Sequence, residues 1–215
     1  WKVLAENVLM IRWKGRITLA CQSGETKVVQ FLLERCNSQE SGLNIKYLGL
    51  TPFMWACQYG HKDVVQLLLD HSERIELNAR THLGSTAFML ACSNGHKDVV
   101  QLLMDHSERI EMNARSNKGR TAFMIACIYG HKDVVQMLLD HSEGGIELNA
   151  RTNNGTSAFM LACKKGHTDV VKLLLDSSNI ELNVYSKKEN LLAGWHDSIR
   201  LVELKYHSEP YFLAY

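Results

Sequence analysis

Three groups of residues in this sequence have types and spacing that could do chemistry. The first is Asp70-His71-Ser72, which recurs as Asp105-His106-Ser107 and Asp140-His141-Ser142. An acid, an imidazole and a hydroxyl are the parts of a nucleophilic hydrolase, in which the imidazole takes the hydroxyl proton and the carboxylate orients the imidazole. That reaction needs the three side chains to converge beside an oxyanion site. Adjacent residues at a helix end point in different directions, so the spacing reads as a solvated helix end.

The second group is histidine. Of ten, eight fall in or beside recurring slots: His61, His96, His131 and His167, then His71, His106 and His141, and His82. Imidazoles in register invite a metal. Equivalent residues on neighbouring packed helices lie roughly 8–10 Å apart, whereas zinc holds each ligand at about 2 Å, so no metal is expected. The third group is cysteine: five of six, Cys21, Cys57, Cys92, Cys127 and Cys163, each directly follow an alanine in the same slot. A shared slot reads as a small buried hydrophobe rather than a disulfide framework, and reduced thiols fit a cytosolic compartment. There is no phosphate-binding glycine loop and no CxxC pair. The expectation is a chain without catalytic residues or cofactors.

These residues recur because the chain is a set of copies. Thr86 to Asn113, TAFMLACSNGHKDVVQLLMDHSERIEMN, is echoed from Thr51 to Asn78, from Thr121 to Asn149 and again up to Asn183. Gly24, Gly60, Gly95, Gly130 and Gly166 set the period at 36, 35, 35 and 36 residues.

Gly84-x-Thr86-Ala87-Phe88-Met89-x-Ala91, followed by Gly95-His96, Val99-Val100, Leu102-Leu103 and Asn113, resembles the G-x-T-P-L-H-x-A…G-H-x-x-V-V-x-L-L-L…N pattern of ankyrin repeats, whose period is roughly 33 residues. The resemblance runs from about Gly15 to Asn183 and implies an all-α repeat solenoid of stacked helix-turn-helix units with short β-hairpin fingers. The family's proline survives only as Pro52, and Met54, Met89, Met124 and Met160 replace its histidine, putting apolar packing where a buried polar network would be. The helix-ending glycine after the leucines is absent as well.

Residues 1–14 then read as an N-terminal cap or the remnant of an earlier repeat, with Val3, Leu4, Val8, Leu9 and Ile11 apolar; 15–44 are a degenerate first repeat; 45–78, 79–113, 114–149 and 150–183 are repeats two to five; and 184–215 are a C-terminal cap in which Ile199, Val202 and Tyr206 share a helical face. Terminal repeats are atypical because one side faces solvent. Within a repeat, Thr86 has the type to cap the first helix, Phe88, Ala91 and Cys92 have helical spacing, and Gly95 suits the left-handed turn that ends it. Pro52 fits a first helical position. The second helix begins near His96, carries Asp98 in its first turn and faces Val99, Leu102 and Leu103 inward. Helices of about ten residues are marginal alone, so stacking must hold them.

With 46% hydrophobic residues, 22% charged and a net charge of +1 over 215 residues, the chain can bury a sizeable core and has no bias toward nucleic acid or membrane. No apolar run is long enough to span a bilayer, and no signal peptide is apparent. Starting at Trp1, it reads as a fragment, a segment of a larger multidomain protein whose other domains would supply any catalysis. A cytoplasmic location is expected, with a nuclear one compatible.

Function must lie in what differs between copies. In the fingers, Asn78 to Ser85, Asn113 to Arg120 and Asn149 to Thr156, and at the ends of the first helices, the variable slots hold Tyr47, Leu48, Leu50, Gln58 and Tyr59 in repeat two; His82, Leu83, Ser85, Ser93 and Asn94 in repeat three; Asn117, Lys118, Arg120, Ile128 and Tyr129 in repeat four; and Asn153, Asn154, Thr156, Lys164 and Lys165 in repeat five. The resemblance implies that these line a concave groove that binds another protein. Aromatic and basic residues suit interface anchors. The expected partner is acidic near repeats four and five and apolar near repeat two. Arg80, Arg115 and Arg151 hold a constant slot and suit bracing as well as binding. A second reading comes from the resemblance alone: Asn78, Asn113, Asn149 and Asn183 are similar to finger asparagines that asparaginyl hydroxylases modify.

Overall fold

The computed structural model describes residues 15–35, 42–141 and 145–181. The expected caps at 1–14 and 184–215, and Asn183, lie outside these. Among the described residues ten α-helices follow one another in pairs: α1 (residues 15–23) and α2 (Thr26–Arg35), α3 (Pro52–Tyr59) and α4 (Lys62–Asp70), α5 (Ala87–Asn94) and α6 (Lys97–Met104), α7 (Ala122–Tyr129) and α8 (Lys132–Asp140), α9 (Ala158–Lys165) and α10 (Thr168–Asp176). The first helices stack as one row, α3 on α5 on α7 on α9, and the second helices as another, α2 through α10.

Local chemistry sets each helix's ends. The hydroxyls of Thr51, Thr86, Thr121 and Ser157 accept from the backbone N–H of Met54, Met89, Met124 and Met160 at 3.2–3.4 Å, satisfying a donor the first turn cannot. Pro52 sits at the first helical position, where it forfeits nothing. At the other end Gly95 adopts φ +73°, and its N–H and that of His96 both reach the Ala91 carbonyl. This left-handed turn lets α6 start at once.

The two rows differ in pattern because they differ in neighbours. A first helix has helices before and behind it and a second helix beside it, so Ala122 through Ile128 are all buried. A second helix faces solvent on one side and is amphipathic, burying Val64, Val65, Leu68 and Leu69 in α4. One apolar core runs unbroken from Ile17 to Leu175, with Phe53, Phe88, Phe123 and Phe159 among its largest fully buried side chains. Met54, Met89, Met124 and Met160 lie in it too.

The fingers close as turns rather than as strands. Thr81 N–H donates to the Ser85 carbonyl at 2.9 Å and Gly84 N–H to the Thr81 carbonyl at 2.9 Å, with Gly84 left-handed, a three-residue hairpin loop. Ser116–Arg120 and Thr152–Thr156 repeat it. Among the described residues, the β-pairing outside these turns is an isolated bridge from Tyr47 to Leu50. Fingers this short leave no length for a ladder.

Candidate functional site

The variable residues divide by what the tertiary structure does with them. Fingertip residues Leu48, Leu83, Lys118 and Asn154 are exposed, and so are the first-helix ends Tyr59, Asn94, Tyr129, Lys164 and Lys165. Ser85, Arg120 and Thr156 are half-buried at the finger closures, and Gln58 and Ser93 are half-buried on the helices. Ile128 departs from expectation. It is buried at 6% exposure while Tyr129 beside it is 58% exposed, because its slot in α7 turns toward the stack.

Tyr47, His82, Asn117 and Asn153 occupy one finger slot, and three of them meet the preceding finger. Asn117 Nδ2 donates to the His82 carbonyl and Asn153 Nδ2 to the Asn117 carbonyl, both at 2.9 Å. The Asn117 and Asn153 amides add bonds to the Leu83 and Lys118 carbonyls at 3.0 and 3.2 Å. A Cβ on Gly49 would meet His82 Cδ2 at 2.9 Å. These contacts tie finger to finger.

Arginine does the same at the finger bases. Arg80 Nη1 donates to the Arg115 carbonyl at 2.7 Å, its Nη2 pairs with Glu111 at 3.1 Å, and Arg115 donates to the Arg151 carbonyl. Of the two roles open to these arginines, bracing is the one occupied. The repeat asparagines are held on both sides: Asn78 donates to the Arg109 carbonyl at 2.9 Å and accepts from Glu111 N–H at 2.9 Å; Asn113 bridges Gly145 and Glu147 at 2.5 and 2.8 Å; Asn149 bridges Asn179 and Glu181 at 2.9 and 2.8 Å.

What the stack leaves at the surface is a face with two chemistries. At repeat two, the Trp55 indole donates to the Tyr47 carbonyl at 3.3 Å and stacks on Tyr59 at 5.7 Å, and Tyr59 stacks on His61 at 6.3 Å. An aromatic column thus runs from the finger to the far end of α3. Tyr47 is 52% exposed, Leu48 77% and Leu83 72%. At repeats four and five Lys118, Lys164 and Lys165 are exposed and Arg120 half-exposed.

One fingertip is unlike the others. Thr81, Ser116 and Thr152 use their hydroxyls to accept from Ser85, Arg120 and Thr156 N–H at 3.1 Å. Lys46 holds that slot in repeat two and has no hydroxyl. The finger instead closes between Tyr47 and Leu50 by two backbone bonds of 2.9 and 3.1 Å, with Leu48 at φ +51° and Gly49 at +84°. Both central residues of this turn are left-handed, a type I′ arrangement that favours Asn-Gly. For leucine the conformation costs about 1 kcal/mol or more. The replaced hydroxyl was the sequence signal for this feature.

With that geometry in place, the pattern of the sequence takes its name: the family model for ankyrin repeats matches three times, over residues 17–114, 73–152 and 108–186. The chain belongs to the ankyrin-repeat family. Comparison with curated proteins finds no match. Ankyrin repeats are generally protein–protein interaction modules and typically non-enzymatic.

In this ankyrin array the chemistry-bearing residues have structural partners. Asp70 accepts from Gln66 at 2.8 Å, His71 Nδ1 bonds the Leu67 carbonyl at 3.0 Å, and Ser72 accepts from Arg109, so the three groups face three ways. His61, His96, His131 and His167 each donate from Nε2 to a carbonyl of the preceding repeat, Gln22, Gln58, Ser93 and Ile128, at 2.8 Å. A carbonyl only accepts, which assigns the proton to Nε2. Among the described residues no three His, Cys, Asp or Glu side chains come together to hold a metal, and no helix is long and apolar enough to cross a membrane. Burial pushes the Cys21 and Cys163 thiols up to about 12. It raises Cys57, Cys92 and Cys127 as well, with the neighbouring thiols Cys21 and Cys92 adding to the effect on Cys57 and Cys127.

Proposed function

We propose that this ankyrin array is a non-enzymatic scaffold that binds a partner protein across its fingertips and first-helix ends. The observation that carries this is the sorting of side chains. Most residues that recur cap, stack or brace the repeats, whereas the exposed fingertip slot passes from Leu48 and Leu83 to Lys118 and Asn154, and the exposed helix-end slot holds Tyr59, Asn94, Tyr129 and Lys165 in turn. The partner is acidic where it meets repeats four and five and apolar where it meets repeat two. The five buried, unpaired cysteines are compatible with a reducing, cytoplasmic setting. Hydroxylation of Asn78, Asn113 or Asn149 is the weaker reading: each amide is engaged on both sides by the next repeat, so an enzyme would gain access only through local opening.

The test is kinetic. A partner captured on the immobilised chain is measured against the variant carrying Lys118→Glu, Arg120→Glu, Lys164→Glu and Lys165→Glu, and against Tyr59→Ala with Tyr129→Ala. Rim charges act on association and are screened beyond a Debye length of about 8 Å. The charge variant should associate more slowly and with a flattened salt dependence at unchanged melting temperature; the tyrosine variant should dissociate faster. A partner indifferent to both variants would defeat the groove reading.

A further inference from the structure

Leu48 is the most exposed of the large apolar side chains described, at 77%, and its backbone sits in a conformation that leucine disfavours. Burial does not explain the residue, and neither does backbone preference, for Asn before Gly49 would relax the turn. Strained backbone persists where something else over-determines it, and binding surfaces are one such place. Leu83 adds apolar surface at the next fingertip, 72% exposed, and Tyr59, stacked on Trp55, is 46% exposed at the end of α3. Two repeats further on the same fingertip slot is Lys118, and three repeats from Tyr59 the same helix-end slot is Lys165. At its first-helix end repeat three, between these ends, offers short neutral residues whose side chains bond inward: Ser93 and Asn94 both donate to the Leu90 carbonyl, at 2.9 and 2.8 Å.

We propose that the occupant is a linear, extended peptide segment with an aliphatic or aromatic anchor on Leu48 and an Asp/Glu cluster over Lys118 and Lys165, the two separated by a fixed length. This rests on the groove reading above and adds a register to it. Equivalent residues on stacked helices are about 8–10 Å apart, so the basic positions lie roughly 16–30 Å from the anchor. An extended chain advances about 3.3 Å per residue, and the acidic cluster therefore falls about five to nine residues from the anchor. The middle of the segment is read only for being neutral and narrow.

The purified chain is used to select from a random peptide display library long enough to span four repeats. Enriched peptides should share an apolar anchor and acidic residues at that separation, and synthetic versions with the spacing cut to two residues should bind about tenfold more weakly or worse, as expected when one of two linked contacts is lost. Leu48→Asn gives a signature that no folding defect produces: melting temperature unchanged or higher, with affinity for the enriched peptides down by about tenfold, as for loss of a buried anchor. Lys118→Glu together with Lys165→Glu should abolish the acidic preference and leave the apolar one. Enriched peptides without the spaced acidic cluster, binding indifferent to Leu48→Asn, or no enrichment at all would each overturn the proposal. The groove reading would still stand if a captured protein partner responds to the variants of the preceding section, so the two failures are distinguishable.

Discussion

Five buried thiols should make the stability of this ankyrin array fall steeply with alkaline pH. Cys21, Cys57, Cys92, Cys127 and Cys163 ordinarily ionise near 9.0, and burial raises every one of them. In the unfolded chain they regain ordinary values. Between about pH 9 and 12, then, the unfolded ensemble has shed protons that the folded state keeps, so rising pH favours unfolding; below about pH 9 both states are protonated and stability is intact. Each thiol contributes a slope of about 1.4 kcal/mol per pH unit, and five together about 7 kcal/mol per unit. Over the 1.5 or so units above pH 9 that amounts to about 10 kcal/mol, comparable with the roughly 5–15 kcal/mol that holds a typical domain folded. Urea titrations followed by circular dichroism, with reductant, from about pH 8 to 10.5 should show this collapse. The control is Cys92→Ala with Cys127→Ala, which lowers stability at every pH through lost packing but should reduce the slope to about 4 kcal/mol per unit. Comparing the slopes cancels every group that titrates in both proteins. Equal slopes in the two, or stability flat through about pH 10, would refute the argument that the thiols stay protonated in the fold.

Two further perturbations probe the stack. Phe123, 2% exposed in the middle of the core, should cost about 3–5 kcal/mol as Phe123→Ala through transfer and cavity terms, read from the urea midpoint; an unmoved midpoint would place the ring elsewhere. Gly95→Ala forces an L-residue to φ +73° and sets its Cβ 2.5 Å from His131 Nδ1, so it should lose about 1–2 kcal/mol from the backbone alone and more from the displaced imidazole. In a double-mutant cycle His131→Ala should relieve the second part, and strict additivity would show that the two residues do not touch.

The sequence by itself determined the repeat architecture, because everything that carries it is local or periodic. A hydroxyl three residues ahead of an amide makes a cap, a glycine ends a helix, valines and leucines at helical spacing mark the buried side, and Gly24 to Gly166 set the period. The variable slots were legible too, as differences between copies. What each slot does was decided only by the tertiary structure, because its partners come from the neighbouring repeat, some thirty to forty residues away. Asn117 and Asn153, read from the sequence as contact residues, also bond the preceding finger's carbonyls while staying exposed; Ile128 looked exposed until the stack covered it; Arg80 and Arg115 suited two roles until the next finger's carbonyls claimed one. Leu48 shows the reverse. Its left-handed backbone follows from Lys46 lacking the hydroxyl that Thr81, Ser116 and Thr152 turn inward, a missing hydrogen bond whose consequence appears only when the finger is closed in three dimensions.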